Sequence, residues 1–210
     1  QNIGRRAQYA VLLHYFLSDL REHWDDPTLP ALIVQLPNFQ ADNPNRPEWA
    51  VFREAQASLQ KEPHNFMATA IDLGTPASVH PPDKRELSRR LASVALKEIY
   101  GQKIHAYGPL LKNVIRDGAA LQLRFVSDAS PLILHAPRTE GKTFDVDGDD
   151  GRFVPATAAV TAPDTIRVES PEVAAPKTVR YLWANAPAAI LYDSQDLPAY
   201  PFQANVGYTL

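Results

Sequence analysis

The chain of 210 residues is 45% hydrophobic and 21% charged, ordinary proportions for a globular protein and enough for one large domain or one domain and part of another. A formal net charge of -3 excludes the strongly basic surface of a nucleic-acid binder and the polybasic patch of a membrane-surface protein. Zero cysteines exclude disulfides and thiolate metal sites, and no apolar run approaches the roughly 20 residues that span a bilayer.

The opening Gln1-Asn2-Ile3-Gly4-Arg5-Arg6 has neither an initiator Met nor the apolar core of a signal peptide, and reads as the interior of a longer polypeptide. Leu12, Leu13, Phe16, Leu17, Leu20 and Trp24 recur at helical spacing and predict a helix over 9–24 with that stripe buried. Pro27 and Pro30 end it. Residues 31–36, Ala-Leu-Ile-Val-Gln-Leu, form an almost wholly apolar run that suits a buried parallel strand. Asn45-Arg46-Pro47-Glu48 has proline and an acid where a second helix begins, and Trp49, Phe52, Ala55 and Leu59 supply its inner face. A further strand follows over 66–71. Asp83 with Glu86 three residues on predicts a capping box at the start of a third helix. Leu87, Leu91, Ala95 and Ile99 form its stripe, and Gly101 is its stop. Alternating helices and strands predict a three-layer α/β arrangement with a parallel sheet.

Beyond Gly108 the pattern changes. Short strand-like runs at 121–126, 132–134, 165–168 and 179–183, separated by Asp, Gly and Pro turns, predict an antiparallel β-sandwich. The boundary falls within 105–118 and divides the chain into 1–108 and 109–210. Asn205 to Leu210 reads as a strand end or a tail. Trp24, Trp49 and Trp183 are assigned to core stripes.

The chemistry concentrates in residues 72–84, Asp-Leu-Gly-Thr-Pro-Ala-Ser-Val-His-Pro-Pro-Asp-Lys. There a strand runs into a carboxylate, a Gly/Pro loop, one histidine and a capped helix. An imidazole so placed can take a proton from a serine hydroxyl and return it to a leaving alcohol. A loop histidine bonded only to backbone is the alternative for His80. Asp72 can orient that imidazole or cap the loop, and Ser78 reads as a loop hydrogen-bonder. Asp145-Val146-Asp147-Gly148-Asp149-Asp150-Gly151 has carboxylates at alternate positions like a calcium loop. Asp150 and Ala156 stand where an EF-hand needs glycine and a bidentate acid, so a hairpin turn is the better reading. The other histidines lack metal-ligand spacing. No GxSxG nucleophile turn, phosphate-cradling glycine loop or basic-aromatic array occurs.

Several blocks, taken together and in order, resemble the sialate O-acetylesterase family of SGNH hydrolases. They are Gln35-Leu36-Pro37-Asn38-Phe39, residues 49–56 (Trp-Ala-Val-Phe-Arg-Glu-Ala-Gln), Ala70-Ile71-Asp72-Leu73-Gly74 and Val79-His80-Pro81-Pro82-Asp83-Lys84. Arg89-Arg90-Leu91-Ala92, Phe153-Val154-Pro155-Ala156 and Val179-Arg180-Tyr181-Leu182-Trp183 complete the series. The resemblance implies the second half of an SGNH-type three-layer α/β/α domain followed by a jelly-roll-like β-sandwich. It also implies serine-type removal of acetyl groups from sugars, either sialate or plant polysaccharide such as xylan or xyloglucan. His80 matches the family's general base, and Asp72 matches a recurrent family acid. Ser78 stands where many members have Asp. The nucleophilic serine would lie upstream in a Gly-Gln-Ser-Asn block that this chain lacks. Gln1-Asn2 match the end of a second block, Gln-Gly-Glu-Ser-Asn, with Gln1 in place of serine. The implied partners are an acetylated carbohydrate and an N-terminal fragment of the same precursor, with no nucleic acid, membrane, metal or organic cofactor. The implied location is periplasmic or secreted. The rival expectation is a non-catalytic carbohydrate-binding module, or a relic of an esterase.

Overall fold

The computed structural model describes residues 6–39, 48–78, 80–129, 131–137 and 141–210. The opening motif remnant Gln1-Asn2, the expected helix start at Asn45-Arg46-Pro47, and Val79 lie outside them. Two compact units follow one another, Gln1–Ala106 and Tyr107–Leu210.

The first unit runs α1 (Arg6–His23), β1 (Ala31–Gln35), α2 (Glu48–Ser58), a 3₁₀ turn (Leu59–Lys61), β2 (Asn65–Thr69) and α3 (Lys84–Glu98). β1 and β2 pair in parallel, from Ala31 opposite Asn65 to Gln35 opposite Thr69. Met67, Ala68, Ala70 and Ile71, on and just after β2, are buried almost completely, as a covered parallel strand requires.

α1 packs on α2 through only part of the stripe its spacing predicts, Leu13 and Leu17 among the inward residues. Tyr9 lies against Phe52 with ring centroids 3.9 Å apart, Leu17 is buried, and Arg21 donates to the Leu29 carbonyl (3.1 Å) and to Asn65 Oδ1 (2.8 Å). The i, i+4 line Tyr9, Leu13, Leu17, Arg21 therefore faces inward. Leu12 and Phe16 instead stand outward beside Val11 and Tyr15, 48–66% exposed. Trp24, just past the helix, is 71% exposed rather than in the core.

α3 opens as the sequence indicates, with the Asp83 carboxylate accepting from the Glu86 N–H at 3.0 Å. The reciprocal half of the capping box is absent, because Glu86 turns its carboxylate to Arg89 and Arg90. The expected stripe is also displaced. Arg90 and Val94 are the buried residues of this helix, while Leu87, Leu91 and Ala95 are half-buried and Ile99 is exposed. Past the helix end, Gly101 adopts φ +65°, and the Gln102 N–H returns to the Leu96 carbonyl at 2.9 Å.

The second unit contains β3 (Leu110–Asp117), β4 (Ala120–Val126), β5 (Ile133–Leu134), β6 (Phe144–Asp147), β7 (Val154–Ala162), β8 (Thr165–Glu169), β9 (Thr178–Tyr181), β10 (Leu191–Tyr192) and β11 (Phe202–Asn205). Seven of these strands form one antiparallel sheet in the order β11-β9-β6-β7-β8-β4-β3, and β5 pairs with β10. The expected β-sandwich of two face-packed sheets is instead this single sheet, curled until its edges meet. The segment after β11 closes on β3: Val114 N–H donates to the Tyr208 carbonyl (3.2 Å), Gly207 N–H to Val114 (2.9 Å) and Leu210 N–H to Lys112 (2.8 Å). The segment read as a strand end or a tail ends β11 at Asn205 and goes on as the seam of a nearly closed barrel, the arrangement in which interior and exterior alternate along a strand. Phe125, Phe144, Tyr181 and Phe202 pack ring to ring inside it. β3 runs through the 105–118 span that the sequence reading treats as a boundary. A register shift between Leu111 and Asn113 breaks the period-2 pattern there. Residues 145–151 form the expected hairpin, with Val146 opposite Val154 and Gly151 at φ +67°.

Candidate active site

The two parallel strands end on the same side, and the loops that follow them carry the first unit's chemistry. This carboxyl edge is where open α/β sheets place their ligands. After β1 the chain continues as Leu36-Pro37-Asn38-Phe39, and α2 holds that segment in place. Arg53 is completely buried; its Nε donates to the Leu36 carbonyl (3.0 Å) and its Nη2 to the Pro37 carbonyl (2.9 Å). Gln56 donates to the Val34 carbonyl (3.0 Å) and accepts from the Leu36 N–H (2.9 Å), as a neighbouring strand would. Two of the family-like blocks, residues 35–39 and 49–56, are thus wired to each other through side chain and backbone.

After β2 comes the loop with the predicted site residues. Its first turn is set by Ile71 N–H on Thr69 Oγ1 (3.2 Å) and Leu73 N–H on the Ala70 carbonyl (3.0 Å). Gly74 then passes so close to the preceding loop that an added Cβ would lie 2.3 Å from the Asn38 carbonyl oxygen, 2.5 Å from Asn38 Oδ1 and 2.7 Å from Pro37 Cβ. The two loops therefore touch without space for a side chain. Asn38 is buried there, and its Oδ1 has no hydrogen bond among the described residues.

His80 is exposed at the far end of this loop. Its backbone N–H donates to Ser78 Oγ (3.2 Å), Ser78 Oγ donates to the His80 carbonyl (3.4 Å), and a turn closes from the Ser78 N–H to Thr75 (3.2 Å). Ser78 is therefore engaged locally, as a loop hydrogen-bonder. Among the described residues no hydrogen bond reaches the His80 imidazole.

Asp72 lies at the start of the loop with its side chain 10% exposed. Both its oxygens accept from Arg90, at 2.7 Å from Nη1 and 2.9 Å from Nη2. Arg90 also donates to the Thr69 carbonyl (3.0 Å) and from Nε to Glu86 (3.0 Å). Burial opposes the guanidinium's charge, but the Asp72 and Glu86 carboxylates outweigh it and raise the Arg90 pKa above arginine's ordinary value. The bond from Arg89, assisted by Arg90, holds the Glu86 carboxyl below the ordinary glutamate value. The structure thus sets His80 and Asp72 on one loop, with the carboxylate engaged by α3.

Arg53, Gln56 and Arg90 stand in the sequence blocks quoted for the resemblance, but the sequence assigned them no role. Arg53 and Gln56 carried a signal: Trp49, Phe52, Arg53 and Gln56 follow the i, i+3, i+4, i+7 spacing of a buried helix face, so two of its members are polar.

Among the described residues no group of three or more His, Asp or Glu side chains is placed to hold a metal ion. A groove of about 250 Å³ in the second unit, lined by Lys112, Arg124, Phe125, Leu132, Pro163 and Asp164, contains none of the predicted site residues.

No protein-family model matches the chain. The sialate O-acetylesterase of Rattus norvegicus is 29% identical over 162 residues, 70% of this chain and 29% of that protein. That of Mus musculus is 29% identical over 164 residues, with the same coverage. The chain is a partial match to the sialate O-acetylesterase family. A crystal structure of a carbohydrate acetylesterase from Xanthomonas citri superposes with a TM-score of 0.83 at 35% identity, covering 96% of this chain and 46% of the other. The sialate O-acetylesterase match thus spans under a third of the curated relatives' length, and the structural match under half of its counterpart.

Proposed function

We propose that this chain supplies the general-base half of a serine carbohydrate O-acetylesterase, with His80 as the base and Asp72 as the candidate acid of the same loop. The observation that carries the reading is the His80 loop itself. It presents an unengaged imidazole at the carboxyl edge of the parallel strands, in a chain similar to acetylesterases along most of its length. In the SGNH-type layering that the resemblance implies, an upstream segment contributes the nucleophilic serine. Its hydroxyl oxygen bonds to the acetyl carbonyl carbon while His80 takes the proton. Collapse of the tetrahedral adduct breaks the ester bond, and His80 gives the proton to the departing sugar oxygen. Water then attacks the acyl-enzyme with His80 again as base, releasing acetate and restoring the serine.

The outward apolar side chains Val11, Leu12, Tyr15 and Phe16 on α1 support a role for such an upstream segment, since a patch of this kind marks an interaction surface. Acetylated sialate or plant polysaccharide is the proposed substrate class, met in the periplasm or outside the cell. The test is His80→Ala in the full-length protein. Hydrolysis of p-nitrophenyl acetate is expected to fall by a factor of about 10⁴ or more, and a variant that keeps its rate would sink the assignment.

A second reading, a non-catalytic carbohydrate-binding module, is favoured by the groove between Lys112, Arg124 and Asp164. Acetylated-glycan binding without acetate release would favour it over the esterase.

A further inference from the structure

We propose that Arg90 is the positioning residue of the candidate site: by tying Asp72 and the end of β2 to α3, it fixes both ends of the loop that carries His80. The inference rests on His80 being the general base.

The loop leaves β2 after Thr69 and enters α3 at Lys84. Among the described residues, the backbone turns within it are short-range, spanning two or three residues: Leu73 to Ala70, Ser78 to Thr75 and His80 to Ser78. They shape local turns without setting where the loop lies relative to the helix. Arg90 supplies that reference. One guanidinium, its side chain 5% exposed, bonds the last carbonyl of β2, both oxygens of the carboxylate that starts the loop, and Glu86 one turn back on its own helix. A planar fork with donors in fixed directions constrains orientation as well as distance. A buried ion pair is a weak source of stability, since an apolar pair of like volume often serves as well. What an apolar pair lacks is direction, and a base must stand within a fraction of an ångström of its productive place. Lysine cannot substitute, because one nitrogen cannot reach two carboxylate oxygens, a carbonyl and Glu86 together.

The experiment compares Arg90→Lys and Arg90→Met with wild type in the full-length protein. It measures kcat and KM on p-nitrophenyl acetate, alongside ¹H–¹³C spectra of the histidine rings. The His80 resonance is assigned by its loss in His80→Ala. The expected result for both variants is a kcat lowered about 100-fold, as for a misplacement of about 1 Å, with KM within about threefold and the His80 ring signals shifted or broadened. Unchanged kcat and ring signals, with only a lower melting temperature, would overturn the inference and leave Arg90 a stability residue. If Arg90→Met does not fold, Arg90→Lys, which keeps the charge and the aliphatic stem but not the fork, carries the same test. An inactive wild type or an active His80→Ala would count against the proposed function, while the ring spectra would still decide whether Arg90 sets the imidazole's environment.

Discussion

Gly74→Ala probes how the two loops at the carboxyl edge are held. The backbone at Gly74 is not in the left-handed region, so the cost of an alanine there comes mainly from steric contact. Its Cβ would sit 2.3 Å from the Asn38 carbonyl oxygen, 2.5 Å from Oδ1 and 2.7 Å from Pro37 Cβ. Ordinary contact distances require the loops to part by about 1 Å. Overpacking of this kind costs about 1–3 kcal/mol, against which the stiffer unfolded chain returns about 0.4–1 kcal/mol. The net expectation is a loss of about 1.3 kcal/mol, read in urea as a midpoint lower by about 0.6 M with an unchanged slope. Gly118→Ala is the contrast. That residue has φ +60° with nothing within 4 Å of an added Cβ, so only the conformational cost of about 1–2 kcal/mol applies. Adding Asn38→Ala to Gly74→Ala removes the Oδ1 obstacle but not the backbone carbonyl or Pro37, and most of the loss is expected to remain. A Gly74→Ala protein that unfolds at the wild-type midpoint, or one fully restored by Asn38→Ala, would refute this account of the contact.

Two further predictions follow from buried charge. Arg53→Met keeps the aliphatic stem but strands the Leu36 and Pro37 carbonyls, which accept at 3.0 and 2.9 Å; at about 1–3 kcal/mol each, a loss of about 2–6 kcal/mol is expected by urea unfolding. Glu86 has its folded pKa lowered, so its ionised form adds stability above the ordinary glutamate pKa, and that contribution disappears as pH falls through the folded value. Wild type should therefore be more stable than Glu86→Gln at about pH 7 and lose that advantage as the pH falls below the ordinary glutamate range, and a gap that widens in acid would contradict the assignment.

The sequence made some features plain and hid others for identifiable reasons. The His80 loop was legible because an apolar strand precedes it and the Asp83 cap follows it, both local signals. The burial of Arg90 and Arg53 was not. A charged residue reads as solvent-facing until its partners are known, and those partners, Asp72, Leu36 and Pro37, are 16 to 18 positions away in the chain. The helical period of α1 was clear, but period alone does not choose between two adjacent apolar lines. Tyr9 and Arg21, through contacts with distant elements, made that choice. In the second unit the strand character was legible from alternation. Closure of the sheet was not, since it depends on backbone pairing of residues 207–210 with Lys112 and Val114, more than 90 positions away in the chain.

That closure bears on how the second unit folds. The hairpins β3–β4, β6–β7 and β7–β8 join neighbours in sequence and need little chain to be gathered. The seam joins Val114 to Tyr208, and bringing together ends some 90 residues apart costs roughly 4 kcal/mol in chain entropy alone. The seam should therefore form after the hairpins have brought its two sides close, and contribute little to the folding rate. Its bonds act instead as a latch on the finished barrel, and their strength sets how often the interior rings of Phe125 and Phe202 meet water.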